Sequence, residues 1–444
     1  MLLLAGCNFN PDTMVSAGAA IDASDGMQPQ DDAIAPEDCP SDIEFVLSVN
    51  GEEAIPGGSF TVVKTVLGDT VEFSAVGTCT KAGPINYAWS FPGSPDSILD
   101  TATALNTETI QVYPVEPGVY TVELRVDDGS PAFKRRGVMA FTAVGFEDLG
   151  VLPTGQGSEV RDLDAGQTIL WVASKVGVFQ GSLLNPNQGP LGGAYQSVAV
   201  QYDNDSLAAD INAVYESPDG AYAWFGPETG DAEVFRLSLA GGGDPLETIE
   251  TIENSKTKDI SGSATEVVVA TTKGSTRATG NFGTFSKVTD GDLKAASVGP
   301  TGSFAGGMAL YSLPTNTPID IYAGGDDKIR GFADDGTHLW VGSDGNGVAK
   351  LQGTAVVESY NMANSGLQSD KIRAMTTDAT GDIWASTEAG LHRFKKDRQI
   401  WIQLSTSLLT VANNIKAVTV DEIGSRRAIY IGSNSGLAVM QIVP

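Results

Sequence analysis

Chemistry near neutral pH is most often carried by histidine, and this 444-residue chain has two, His338 and His392. His338 immediately precedes "LW" at 339–340. His392 lies in "GLHRF" at 390–394. Both fall inside a recurring phrase, so a structural role is expected for each, with no catalytic residue assigned. No GxSxG, HExxH or phosphate-loop pattern occurs. Three acidic turns, "YDNDS" (202–206), "GGDDK" (324–328) and "SDGNG" (343–347), carry oxygen ligands suited to Ca²⁺. None has the spacing of a dedicated calcium loop, and Asp, Asn and Gly serve tight turns without a metal. No metal and no cofactor is therefore expected. The formal charge of −28, from 55 acids against 27 bases, repels phosphate backbones and excludes nucleic acid as a partner.

The three cysteines are Cys7, Cys39 and Cys79. "LAGC" at 4–7 resembles the lipobox of bacterial lipoproteins, in which a signal peptidase cuts before a cysteine that receives lipid. The resemblance implies that residues 1–7 are a truncated lipoprotein signal and that Cys7 is lipidated. Asn8, in place of Asp, implies the outer membrane. Residues 8–40 are polar and acidic, without Lys or Arg, and the first basic residue is Lys64. Such a run cannot bury enough apolar surface to fold, and it reads as a disordered tether spanning roughly 30 Å r.m.s.. Cys39 and Cys79, in an oxidising compartment, are expected to form a disulfide that stabilises by ~3–4 kcal/mol on the chain-entropy model.

Stepping along 41–145, short alternating runs read as strands: "IEFVLSV", "TVEFSAV", "NYAWSF", "ETIQVY", "VYTVELRV" and "GVMAFTAV". Six strands in about a hundred residues predict a two-sheet sandwich with Trp89 between the layers. "YAWSF" followed by "EPGVYTVELRVDD" resembles a PKD domain, an immunoglobulin-like module of extracellular proteins. Gly118, Tyr120, Val122, Leu124, Val126 and Asp128 match its closing strand. The usual F-G-D-G turn is replaced by "FPGSPDS" at 91–97.

From 146 onward one phrase recurs: "LWVAS", "AWFGP", "VVVAT", "SFAGG", "LWVGS", "IWAST" and "IYIGS". Its central residues are Trp171, Trp224, Val268, Phe304, Trp340, Trp384 and Tyr430. They lie 36 to 53 residues apart, about 43 on average. This is the period of propeller blades carrying period-2 strands. Each unit reads as an inner strand such as "IRGFAD", a turn, the aromatic strand, a third strand and a variable outer strand such as "WIQL". The last unit lacks a fourth strand. Phe146 precedes Val160 by 14 residues, as Trp401 precedes Ile415, so 146–150 is expected to pair with the last unit and close the ring.

The pattern I-R-x-x-x-x-D … G-x-x-W-x-x-S-x-x-G-L resembles two-component regulator propeller repeats. The expected fold is thus all-β: an immunoglobulin-like β-sandwich (41–145) followed by a seven-bladed β-propeller (146–444). The expected function is a non-catalytic envelope lipoprotein that binds an envelope protein or glycan partner, with membrane contact through the lipid anchor alone. The alternative is a lyase or hydrolase with a site at the channel mouth, as in streptogramin lyases, which are similar in using a histidine and a divalent ion there.

Overall fold

The computed structural model describes residues 44–49, 52–53, 63–79, 85–92, 105–127, 134–150, 159–183, 196–198, 201–202, 205–206, 210–228, 233–240, 246–253, 255–280, 282–313, 315–322, 327–404, 406, 414–422 and 427–442. Every regular element among them is a strand. The chain divides into two compact units, one of residues 1–65 and 69–143, the other of 66–68 and 144–444. Cys7 and Cys39 lie outside the described residues, and so does the whole of the acidic tether (8–40). Cys79 ends the strand Val71–Cys79.

The first unit contains, among the described residues, two four-stranded sheets. One orders Glu52–Glu53, Glu44–Val49, Val71–Cys79 and Thr109–Val112. The other orders Val63–Val66, Lys134–Val144, Gly118–Asp127 and Asn86–Ser90. Alternation sets the faces: Tyr120, Val122, Leu124 and Val126 are all buried. Phe73 of one sheet meets Trp89 and Phe141 of the other, with ring centroids 6.3 and 5.6 Å apart. The Trp89 indole N–H donates to the Thr107 carbonyl at 2.8 Å, so its polar edge is satisfied within the core.

Among the described residues, the second unit contains seven four-stranded antiparallel sheets. Their first strands are Val160–Ala165, Ile211–Glu216, Thr257–Gly262, Leu293–Gly299, Ile329–Asp334, Ile372–Thr377 and Ile415–Asp421. Each of these inner strands contacts the next, and the seventh contacts the first. The circuit, with the recurring phrase as second strand of every sheet, is that of a β-propeller.

The composition of the phrase has a mechanical reason. Its aromatic residue is covered by the following sheet: Trp171 by Phe225 at 5.5 Å and Trp340 by Phe394 at 4.8 Å between centroids. Its small residue faces the first residue of the next inner strand. A Cβ on Gly342 would fall 2.5 Å from Ile372, and one on Gly432 would fall 2.3 Å from Val160. Its hydroxyl ties the hairpin to the third strand, as where Ser174, Thr271 and Thr387 donate to the carbonyls of Gly177, Gly274 and Gly390.

Closure also has a register. Glu147–Gly150 pairs antiparallel with the third strand of the seventh sheet, Gly436–Ile442, through Leu437↔Gly150, Ala438↔Asp148 and Val439↔Glu147. Phe146 is not part of this strand. Leu149 packs against the apolar cluster that includes Tyr430, Leu437 and Val439. The pairing is offset by an irregularity between Leu437 and Ala438, which the equal 14-residue spacings do not reveal.

Candidate functional site

The inner strands surround the axis of the propeller, and their side chains decide what the channel can do. All seven share one irregularity. The register with the second strand shifts at the second residue, between Val160 and Asp162, Ile211 and Ala213, and so on around the ring. A bulge re-aims the side chain it carries. The bulged residues are Arg161, Asn212, Lys258, Lys294, Arg330, Arg373 and Lys416. Six cations therefore stand at equivalent places in a strongly acidic chain.

These cations are paired in two ways. Across the first three sheets and the seventh they tie neighbours together. Arg161 donates to Asn212 at 2.5 Å and to Asp210 at 2.9 Å. Asn212 donates to the Thr257 carbonyl at 2.7 Å and to Glu228, which also meets Lys258. Lys416 pairs with Glu159 and, with Arg161, holds its carboxyl below the usual range. Burial pushes Glu228 up, but Lys258, Asn212 and Lys256 outweigh it and leave the carboxyl at about 2. In the fourth to sixth sheets each cation pairs within its own sheet: Lys294 with Asp292, Arg330 with Asp344 and Arg373 with Glu388.

Further along the strands, side-chain oxygens stitch one inner strand to the next. Asp162 accepts from the Val214 N–H at 2.9 Å and Asp164 from that of Glu216 at 2.5 Å. The offset is 52 residues in both, so the two strands run in the same direction. Asp259 accepts from Ala296 at 2.7 Å and Ser261 from Val298 at 3.0 Å, both at an offset of 37. Thr419 accepts from Ala165 at 3.3 Å and carries the pattern from the seventh strand to the first. These strand carboxylates are held by backbone donors, not by cations. Burial raises Asp164 to about 7, and it also raises Asp162 and Asp259, with the Asp259 charge adding to the effect on Asp162.

A pH dependence follows. A carboxyl whose folded pKa is raised keeps a proton that the unfolded chain has released. Stability then falls as pH rises from about 4 to about 7. Glu228 acts oppositely, its contribution being lost as pH falls from its unfolded value toward about 2. Thermal unfolding of the full chain is expected at higher temperature near pH 5 than near pH 8. The Asp162→Asn/Asp259→Asn variant is expected to flatten that difference. A slope unchanged in the variant contradicts the assignment.

The histidines occupy other places. His392 is fully buried, and its Nε2 accepts from the Gln368 N–H at 3.1 Å. Nδ1 lies 3.4 Å from Thr387 Oγ1, so the network selects the Nδ1–H tautomer. Burial lowers its pKa to about 4, which keeps the ring neutral. His338 stands before the strand Leu339–Ser343, its N–H donating to Asp335 at 2.8 Å and its ring 3.4 Å from the same carboxylate. The two are not brought together by any contact among the described residues. Of the acidic turns, Asp344 is taken by Arg330 and Asp327 accepts from the Tyr322 N–H at 3.3 Å. Among the described residues, no three His, Cys, Asp or Glu side chains converge as metal ligands.

A cavity of about 280 Å³ opens between the third and sixth inner strands, lined by Ser261, Ser297, Phe332, Asp334, Met375 and Thr377 among others. Sequence reasoning missed it. Its only signal was the alternation of Ala, Gly, Ser and Thr along "LKAASV", "IRGFAD" and "IRAMTT".

Solved structures of similar fold include the extracellular domain of the putative one component system BT4673 from B. thetaiotaomicron, with a TM-score of 0.51 and 14% identity over 67% of this chain. The chain spans 40% of the length of that domain. A chain of the Mitotic Checkpoint Complex has the same TM-score at 12% identity, covering 67% of this chain and 91% of that one. Both bear on the fold alone. No protein-family model matches, and no curated protein matches in sequence.

Proposed function

We propose that the chain is an envelope lipoprotein, anchored at the outer membrane through Cys7, which presents a seven-bladed β-propeller (146–444) as a non-catalytic binding module. An immunoglobulin-like, PKD-like module (41–145) with a Cys39–Cys79 disulfide joins it to the acidic tether. The observation that carries this reading is how the propeller uses its reactive groups. His392 is buried neutral, His338 belongs to the Asp335 turn, and Asp162 and Asp259 are each spent on two backbone N–H groups. Seven sheets in a circuit support the blade number. The bond from Tyr120 Oη to the Glu116 carbonyl, four residues upstream, supports the immunoglobulin-like reading. The second reading, a lyase or hydrolase, rests on Asp164, whose pKa of about 7 suits acid–base work.

The test is affinity capture of the full chain, expressed behind a complete leader, from solubilised outer membranes. The wild type is expected to fractionate with the membrane and to recover the same envelope protein or glycan in repeated captures. Cys7→Ser is expected to leave the membrane fraction while keeping the partner. A Cys7→Ser protein that stays membrane-bound contradicts the anchor.

A further inference from the structure

The stitching joins the first inner strand to the second, the third to the fourth and the seventh to the first, and the cavity extends from the third and fourth strands over the unstitched fifth and sixth. In every inner strand the third and fifth residues pair their backbone with the second strand, so the N–H groups of the fourth and sixth turn away from the sheet. In the second and fourth strands these groups are the N–H of Val214, Glu216, Ala296 and Val298, each held by an oxygen of the preceding strand. In the fifth and sixth strands the same places are Phe332, Asp334, Met375 and Thr377. Among the described residues no side chain accepts from them. The preceding strands carry Ala295, Gly331 and Ala333 where the first and third carry Asp162, Asp259 and Ser261, and Ser297 stands before Asp334 without accepting from it. Gly331 packs closely on the sixth strand: a Cβ there would lie 3.1 Å from the Met375 nitrogen. Thr377 adds a buried hydroxyl oxygen without a partner.

Backbone donors turned into a polar cavity demand acceptors. We propose that this cavity binds a neutral, hydroxyl-rich small molecule of monosaccharide size. The N–H groups favour an oxygen ligand and disfavour a cation. The net charge of −28 disfavours an anion. Ser297 and Thr377 can donate to or accept from a sugar hydroxyl, and Phe332 and Met375 offer apolar surface to a ring face. A volume of about 280 Å³ is at the small end for ligand pockets and suits a single ring. The site deepens the binding-module reading and rests on it.

The test is saturation-transfer NMR on the full chain with D-glucose, D-galactose, D-mannose and D-xylose, set against D-glucuronate and D-galacturonate. Neutral sugars are expected to receive saturation and the uronates much less. Ala333→Ser copies Ser261 and supplies an internal acceptor for the Thr377 N–H. It is expected to raise the melting temperature and to weaken sugar binding about tenfold, the scale of one lost hydrogen bond to a neutral group. Thr377→Val is expected to weaken binding as well. Thr419→Val removes a stitch on the other side of the ring and is expected to lower the melting temperature with binding unchanged. Absence of saturation from every neutral sugar means that the donors are served by water alone, and overturns the proposal. So does a preference for uronates, or binding insensitive to both cavity variants. Failure of partner capture with sugar binding intact bears on the envelope reading and leaves this site standing.

Discussion

Asp378→Ala is expected to destabilise the propeller by about 2–3 kcal/mol, the cost of leaving buried donors such as the Trp384 indole N–H without an acceptor, while Arg393 keeps Asp382 and Arg427 keeps Glu422. Asp378 immediately follows the sixth inner strand, and its side chain is fully buried. It accepts from the Trp384 indole N–H at 3.0 Å, from Thr380 and from the Asp382 N–H. Arg393, 1% exposed, reaches it at 3.3 Å and stacks on Trp384 at 4.7 Å. Arg427 of the seventh sheet reaches it at 2.7 Å, so the cluster joins two sheets. Burial pushes the carboxyl up, but Arg393, Thr380, Trp384 and Arg427 outweigh it and hold the pKa below the usual range. Its contribution is therefore present at neutral pH and lost in acid. Denaturant unfolding followed by tryptophan fluorescence measures the effect. A loss within about 0.5 kcal/mol, the size of an ordinary surface change, contradicts the assignment.

Leu149→Asp should cost about 3 kcal/mol or more, because it places an unpaired charge against an apolar cluster. Leu149 of Glu147–Gly150 packs against the apolar cluster that includes Leu437, Val439 and Tyr430. Losing that strand exposes the edge of Gly436–Ile442 in the seventh sheet. Hydrogen exchange on the full chain is the measurement. Amides of Leu437–Val439 should lose protection in the variant, while those of the third sheet, such as Val267–Val269, should lose much less. Equal protection at 437–439 in both proteins contradicts closure.

Much of this architecture was legible because it repeats. Trp171, Trp224, Trp340 and Trp384 mark second strands because a large aromatic residue must be covered by the next sheet. Gly342 and Gly432 follow because the next inner strand leaves no room for a Cβ. The missing fourth strand of the last unit pointed to 146–150, although Phe146 itself stands outside the strand Glu147–Gly150.

The channel was harder to read for physical reasons. Arg161, Lys258 and Arg330 look like ordinary strand cations, and only the three-dimensional register shows that each sits on a bulge. Asp162 and Asp259 look like solvated acids but hold backbone amides of the next strand. The cavity is defined by what Gly331 and Ala333 lack, and that has meaning only beside Asp162 and Ser261. His392 was read correctly as a strand residue, but its contact with the Gln368 N–H joins groups 24 residues apart that no periodicity relates.

The central claim is that the propeller binds and does not transform what it binds. Wild type, His338→Gln and His392→Gln proteins would be incubated with glycan, peptide and lactone sets, and the mixtures analysed by mass spectrometry. The account predicts every compound recovered intact from all three proteins, with partner capture unchanged in both variants. Turnover by the wild type that either substitution abolishes would contradict it.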